Sequence, residues 1–523
     1  AAGVVTVGDG RFALHVDGAD RKTDDLKVPK QAGRRDKDGG PGSLNQGRLL
    51  NSNSDQQSGA VGASLTGDHG YLGVSLDSNK NDYGTGLFES DHGDADLNKP
   101  KRIKLKQDRL TLAGEQRNLA GKMGPLESIR GSFSSTDYKH EELAGGEVEA
   151  TYKNKGWDSR IEGTHIPIQT SLGSLKGAWG IQGSESKFSA TGSGTHGAFV
   201  PNAKTDSKAL FVFEELSFAP GKAVNAGFRY EDVKVQSLGG LGGHDGEFPA
   251  DSKKFKPFSL ALGYRQNVGS GWTATSGLSY TERAPTFYEL YADGEHHATG
   301  TYERGNSSNK KEKGTTLELG MKFKTPTTRA SFSAYVTEFS NFIGLVQGGD
   351  VNHDGESCAS DPDECIPKYN FQGIKARLYG LEADGRFPLA TRLFGKAGQL
   401  NVDWKADYAR GENRTTGGAL PRIAPLRLSS ALVYSEGKYS SQVDVQYAAR
   451  QNRYADDLGA TPSYAMFGLG ASYKTAVSGM KSAYLFLRVH NLTNVEARNA
   501  SSVLRDMAPA GARAIKVGLR GNF

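Results

Sequence analysis

The residues best suited to chemistry lie in the stretch TERAPTFYELYADGEHHATGTYERGN, which spans 281–306. It presents two adjacent histidines, His296 and His297, among carboxylates. An earlier segment, DYKHEEL, offers His140 and Glu142 in a similar setting. Imidazole nitrogens with carboxylate oxygens are the ligands that zinc and related divalent ions take from proteins. These side chains are therefore candidate metal ligands; the alternative is that they are solvated residues of polar loops.

The elements that must position these residues are β-strands. In segment after segment, apolar or aromatic residues alternate with polar ones, as a strand with one apolar and one polar face requires. Clear examples are PFSLALGYR (257–265), RASFSAYVTEF (329–339), LNVDWKADYAR (400–410), MFGLGASYK (466–474) and AYLFLRVHNL (483–492). No apolar run approaches the roughly 18 to 20 residues that a membrane-spanning helix needs, which excludes a helical membrane protein.

The connections between strands alternate in length along the chain. Short ones fall at 67–70, 220–223, 268–271, 325–328 and 435–438. Long polar ones fall at 23–56, 83–101, 193–204, 239–253, 292–311 and 347–368. This alternation is typical of an outer-membrane barrel with periplasmic turns and extracellular loops. We predict an all-β fold, a large transmembrane antiparallel barrel with about 21 strands of a nominal 22.

Composition and cysteine content narrow the class further. The net charge of +5 is small for 523 residues, and the basic residues are scattered, which argues against a nucleic-acid partner. The only cysteines, Cys358 and Cys365, would close a small ring in a polar loop, which suits an oxidising compartment. A metal pair or two free thiols is the other interpretation.

Both ends of the chain, and some strands in its first third, depart from a simple pattern. The chain begins without a signal peptide, and its last strand ends on Phe523, which resembles the assembly signal of outer-membrane barrels. The segment KRIKLKQDRLTLAG places Gln107 and Arg109 where lipid-facing apolar residues are expected. An extension of the strands above the membrane is one explanation of this polarity.

Several segments carry a family resemblance. The stretch at 281–306, together with KEKGTTLELGMKFK, ARLYGLEADGRF, LPRIAPLRLS and VHNLTN, resembles the barrel of a TonB-dependent outer-membrane receptor. It is most similar to the zinc-uptake (ZnuD) type. The resemblance implies an outer-membrane location, zinc as transported ligand with no catalytic cofactor, contact with outer-membrane lipid, and coupling to the TonB complex through a plug. We expect a monomer.

Matched to that family residue by residue, Glu142 and His296 are the zinc ligands that the resemblance implies. His140 and His297, with Glu141 and Asp293, are neighbours that would act as further ligands or as their partners. The corresponding third loop, LFESDHGDADLNKPK, is short and has one histidine, His92, so capture of zinc by a histidine-rich loop is in doubt.

The beginning of the chain is the larger departure from the family. The segment AAGVVTVGDGRFALHVDG already reads as a barrel hairpin, so residues 1–523 are expected to be barrel without the plug and without the first strand. An odd number of strands leaves either an open seam or a parallel closure between the first and last strands.

Three other functions remain open at this stage. A haem or siderophore receptor shares the barrel, but haem demands axial His or Tyr ligands and an apolar slot. A passive outer-membrane pore requires no metal site. An outer-membrane protease or phospholipase needs a nucleophile or water held by a histidine and a carboxylate. No such pairing stands out, so we expect no enzyme.

Overall fold

The computed structural model describes residues 1–31, 46–86, 100–192, 198–243, 246–296, 301–352, 355–358, 365–393, 397–455 and 459–523. His297 and residues 87–99 of the short third loop, which include His92, lie outside the described residues.

The described residues form 27 strands and one short helix, α1 (Phe287–Tyr291). The first strands are β1 (Ala2–Gly8), β2 (Phe12–Thr23), β3 (Leu26–Gln31), β4 (Gln46–Leu49), β5 (Ser54–Gly67), β6 (Gly70–Gly84), β7 (Lys101–Gln116), β8 (Leu126–Ala144), β9 (Glu147–His165), β10 (Ile168–Thr170), β11 (Gly173–Gly192), β12 (Asn202–Ala219) and β13 (Lys222–Leu241). The others are β14 (Glu247–Phe255), β15 (Phe258–Gly269), β16 (Trp272–Arg283), β17 (Asp293–His296), β18 (Thr301–Arg304), β19 (Glu312–Lys324), β20 (Arg329–Val351), β21 (Ile366–Ala390), β22 (Gln399–Asn413), β23 (Arg427–Glu436), β24 (Tyr439–Ala448), β25 (Tyr464–Thr475), β26 (Ser482–His490) and β27 (Ala514–Asn522).

One 25-stranded sheet contains every strand except β3 and β4, which form a hairpin of their own. Most strands of this sheet pair side by side in one continuous series, which we call the wall. The short strands β10, β14, β17 and β18 pair with the sheet but lie outside this series. The wall therefore has 21 strands, each antiparallel to its neighbours. The predicted all-β antiparallel barrel fold is confirmed, and the wall has the predicted number of strands.

The two ends of the wall differ in their connections, as the sequence predicts. Hairpins such as β12–β13 and β15–β16 turn within two residues at one end. Most connections at the other end are long, and we call this the loop end. The β8–β9 connection is an exception there, because Gly145 and Gly146 turn the chain directly with positive φ angles of 59° and 93°. Glycine adopts such angles readily because it has no Cβ.

The first and last wall strands do not pair with each other among the described residues. β1 pairs with β2, and β27 pairs with β26. The described residues therefore show no parallel closure between these two strands. Ile515, Val517 and Leu519 on β27 are 69%, 71% and 58% exposed, as expected of side chains on the outer face of such a wall.

The structure corrects the interpretation of the polar strands near residue 107. Leu110 and Leu112 lie in register with Leu76 and Val74, and all four share one face with an exposed apolar band. Arg109 lies on the opposite face, because neighbouring residues of a strand point to opposite sides, and its Nε donates to Thr136 at 3.2 Å. The prediction that Arg109 faces lipid was therefore wrong. The lipid-facing positions of this strand are shifted by one residue, to Leu110 and Leu112.

The segment predicted as one polar loop after β16 has structure of its own. The loop predicted at 292–311 follows α1 and contains the hairpin β17–β18, whose second strand pairs in parallel with β21. In the described chain no helix has the length and apolar character needed to cross a membrane. A cluster of buried apolar residues, including Val200, Ala292 and Phe371, holds this hairpin inside the loop end of the wall.

Candidate functional site

The helix α1 is fixed at both of its flanks. Thr286 caps it, with its hydroxyl accepting from the Glu289 N–H while the Glu289 carboxylate accepts from the Thr286 N–H. Arg283 ends β16 and forms ion pairs with Glu289 at 2.8 Å and Glu312 at 3.1 Å. The helix cap and the ion pairs of the motif TERAPTFYE therefore fix the position at which the following hairpin, β17–β18, begins.

The same motif contains a buried carboxylate, that of Glu282, which directly precedes Arg283. The Glu282 side chain is 2% exposed and forms ion pairs with Lys311 and, at 3.4 Å, with Lys313. Tyr280 donates to the same carboxylate at 2.8 Å. A buried charge is tolerated only with such partners, so this network ties β16 to the chain that returns after β18.

His296 is held by a buried glutamate across the β17–β18 hairpin. Its Nδ1 lies 2.9 Å from Oε1 of Glu303, and the Tyr288 hydroxyl donates to the other carboxylate oxygen. Glu303 is 3% exposed, and this burial raises its pKa to about 7, with the positive charge of Arg422 opposing the rise. When Glu303 is ionised, its carboxylate accepts a hydrogen bond from Nδ1–H of His296. In this tautomer of the imidazole, Nε2 carries the lone pair that can bind a metal.

The His296 ring also has an aromatic support. It stacks on Phe199 with ring centroids 4.8 Å apart and planes 10° apart, and Phe199 meets Tyr288 edge-on at 5.6 Å. Glutamate and phenylalanine together fix the orientation of the imidazole, so that its Nε2 edge is set before any ligand arrives.

The opposite side of the site comes from the loop ends of β8 and β9. His140 stacks on Tyr152 with centroids 4.7 Å apart, and its Nδ1 lies 2.9 Å from the Tyr138 hydroxyl. Its Nε2 lies 3.7 Å from a carboxylate oxygen of Glu142. The Glu142 side chain is 36% exposed, which leaves its carboxylate accessible to a ligand.

These two sides enclose one cavity of about 270 Å³. Its lining consists of His140, Glu142, Tyr152, Phe188, Phe199, Val200, Phe287, Tyr288, Glu295 and His296. The structure thus brings together three of the four residues predicted as ligands, from strands far apart in sequence. The fourth, His297, lies outside the described residues.

The neighbouring candidates are placed elsewhere. Glu141 lies on the opposite face of β8 from Glu142 and pairs with Lys139 at 2.6 Å. Asp293 accepts from the Tyr302 hydroxyl at 2.9 Å. Cys358 and Cys365 are joined by a disulfide in the β20–β21 connection, with Cα atoms 5.8 Å apart.

The described residues contain no group of three or more His, Cys, Asp or Glu side chains already arranged to hold a metal ion. Glu142 and His296 line one cavity without forming a finished coordination shell. The site offers nitrogen and oxygen donors from two walls, and a bound cation would complete its shell with water or other ligands.

Sequence reasoning missed Glu303, Tyr288 and Phe199 as site residues. Glu303 had a usable signal, because TYER alternates and pairs with DGEH in a hairpin that puts Glu303 near His296. Phe199 had no signal in the sequence. Its contact with His296 depends on how the β11–β12 connection, which is far from His296 in sequence, packs at the loop end.

The chain matches the family model described as TonB dependent receptor-like, β-barrel, over residues 7–492. Its fold is similar to that of the copper transporter OprC, with a TM-score of 0.76 and 17% identity over 98% of this chain and 77% of that one. It is also similar to the FrpB iron transporter (F5-1 variant) from Neisseria meningitidis, with a TM-score of 0.73 and 14% identity over 99% and 79%. A third match is a double mutant of the Serratia marcescens hemophore receptor HasR in complex with its hemophore HasA and heme, with a TM-score of 0.71 and 13% identity over 99% and 77%.

Proposed function

This chain belongs to the TonB-dependent receptor β-barrel family, and from that premise we propose that it takes up zinc, or a closely similar divalent cation, across the outer membrane. Receptors of this family are transporters of bacterial outer membranes that couple to TonB, and they are not enzymes. The similar structures include a copper transporter, an iron transporter and a hemophore receptor in complex with heme, so a metal or metal-containing cargo agrees with the relatives of this fold.

One observation carries the proposal. Glu142 on β8 and His296 on β17 line the same cavity at the loop end. An imidazole whose Nδ1 is held by a buried carboxylate is the usual arrangement of a metal-binding histidine, because the carboxylate fixes the tautomer and makes Nε2 more basic. Glu303 supplies that carboxylate at 2.9 Å.

The donor types favour zinc over softer ions. Among the described residues, the cavity lining contains imidazole and carboxylate groups but no cysteine or methionine. Copper(I) prefers thiolate and thioether sulfur, whereas zinc accepts nitrogen and oxygen at about 2.0–2.2 Å. A transport site must also release its cargo, which agrees with a cavity that provides part of a coordination shell.

Haem is the second candidate, because aromatic rings line the cavity. Phe188 and Phe287 lie 4.9 Å apart there, and Phe199 and Tyr288 stand beside His296. The volume of the cavity favours zinc over haem. At about 270 Å³ it is smaller than the roughly 300–1,000 Å³ of sites that bind drug-sized ligands. A haem titration of the purified protein would show a shifted Soret band only under the haem hypothesis.

The proposal is tested by zinc calorimetry on the full chain in detergent, with His296→Ala and Glu142→Ala. Each variant should weaken zinc binding at least tenfold, because each removes a ligand. His165→Ala is the matched control, since His165 pairs with Glu214 at 3.1 Å at the other end of the wall. Unchanged affinity in both site variants, or an equal loss in the control, would refute the proposal.

A further inference from the structure

The cavity at the loop end is large compared with a single metal ion. Its volume is about 270 Å³, whereas one water takes up roughly 30 Å³ in the liquid, so the cavity has room for roughly nine waters. A divalent cation can therefore enter with much of its hydration shell. The size of the cavity does not determine which hydrated cation binds.

The donor atoms do not determine the choice of cation by themselves. The lining presents the imidazoles of His140 and His296, which suit zinc, and the carboxylates of Glu142 and Glu295. Carboxylate oxygen suits magnesium as well as zinc. A site built from these donors needs a further feature if it is to reject magnesium.

That feature is a pair of phenylalanines on one side of the cavity. Phe188 on β11 and Phe287 on α1 have ring centroids 4.9 Å apart, and we call them the phenylalanine pair. The pair continues a row of rings from the donors, because the Phe188 centroid lies 6.2 Å from that of Tyr152, which lies 4.7 Å from that of His140. A phenyl ring carries no polar atom that could bind water.

The packing behind the phenylalanine pair is apolar too. Both rings pack against a buried cluster that includes Ala190 and Ile343, which are 8% and 6% exposed. Tyr288, which follows Phe287 in the lining, directs its hydroxyl to Glu303. A water molecule that touches the phenylalanine pair therefore finds no hydrogen-bond partner in these two side chains.

Zinc and magnesium differ in how many waters they keep. Zinc is commonly four-coordinate, so with Glu142 and His296 as ligands it keeps about two waters, which can turn toward the carboxylates of the lining. Magnesium keeps several waters in a rigid octahedron, which forces some of them against the phenylalanine pair. Each hydrogen-bond donor left unpaired in a buried site lowers affinity about fivefold or more.

We propose that Phe188 and Phe287 are specificity-determining residues, which reject magnesium by leaving its bound waters without hydrogen-bond partners. The inference rests on the proposed zinc function and adds to it the feature that separates zinc from strongly hydrated cations. Neither ring is a ligand. The pair acts on the water that a cation brings, so its replacement changes selectivity.

The test is zinc calorimetry on the full chain in detergent at magnesium concentrations up to about 100 mM, with Phe188→Gln combined with Phe287→Gln. Each glutamine amide offers a hydrogen bond to a metal-bound water. The magnesium concentration that halves the apparent zinc affinity should be at least tenfold lower than for the native protein, because two donors regain partners at about fivefold each. Each single variant should lower it about fivefold.

Phe188→Leu combined with Phe287→Leu is the matched control, since leucine keeps both positions apolar. This variant should need as much magnesium as the native protein to displace zinc. Equal shifts in the glutamine and leucine variants, or no shift in any glutamine variant, would overturn this inference and leave the zinc proposal standing. A native protein that binds no zinc would overturn both. Circular dichroism of the β-sheet verifies folding, and the single variants carry the test if the double variant does not fold.

Discussion

Replacing Glu303 by glutamine isolates the group that prepares His296 for a cation. Glutamine has almost the same shape, so the change removes the charge and leaves the packing. The native carboxylate accepts from Nδ1 of His296 and from the Tyr288 hydroxyl, and it is 3% exposed. Loss of such a partner of a metal-binding histidine typically lowers metal affinity about 10- to 100-fold.

The raised pKa of Glu303 gives this prediction a pH signature. With a pKa of about 7, the carboxyl is about 90% ionised at pH 8 and about 10% at pH 6. A protonated Glu303 resembles glutamine, so native zinc affinity should fall about five- to eightfold over this range through Glu303 alone.

The assay is zinc calorimetry of native protein and Glu303→Gln at both pH values. The ratio of their affinities should be about 10 to 100 at pH 8 and about five- to eightfold smaller at pH 6. Glu214→Gln is the control, because Glu214 contacts a histidine away from the cavity. A ratio that is the same at both pH values would refute the assigned role of Glu303.

The same pKa determines how Glu303 affects folding. A carboxyl whose pKa is raised by burial binds its proton more tightly in the folded chain than in the unfolded one. The ionised Glu303 therefore lowers the free energy of unfolding. This effect is fully present above pH 7, and it disappears as the pH falls from about 7 to about 4.5, the ordinary pKa of a glutamate. Replacement by glutamine should therefore raise the free energy of unfolding at pH 8 and change it least near pH 4.5.

Other predictions concern the support of the site. Phe199→Ala should weaken zinc binding roughly 2- to 10-fold, because the ring stacked at 4.8 Å on His296 is lost; unchanged calorimetry would contradict this. Lys311→Met should lower the free energy of unfolding in urea by about 1–3 kcal/mol, and more than Lys313→Met, because Lys311 is the nearer partner of Glu282. Thiol titration of the native protein should find no free cysteine, and reduction of the disulfide should leave zinc affinity unchanged; a parallel fall in affinity would tie that loop to the site.

The wall could be predicted from sequence because its two signals are local. Alternation along a strand identifies which residues share a face, and tight turns mark one end of the barrel. The error at Arg109 shows the limit of this reasoning. A shift of one residue exchanges the two faces, and only pairing with Leu76 and Val74 on β6 fixes the register.

The candidate site was predictable in part. Placement of DYKHEEL and ADGEH at one end of the wall follows from counting turns, and the structure puts His140, Glu142 and His296 on one cavity. The helix, the β17–β18 hairpin and the Phe199 stack were not predictable, because they depend on packing of the connections against each other. The short β8–β9 turn shows that even a loop-end connection need not be long.

Anomalous X-ray diffraction from zinc-soaked crystals of the full chain tests the central claim most directly. The account predicts a zinc peak in the cavity, about 2.0–2.2 Å from Nε2 of His296 and from a carboxylate oxygen of Glu142. Occupancy should fall in crystals of Glu303→Gln grown at pH 8. A peak bound to other side chains, or an empty cavity at saturating zinc, would contradict the account.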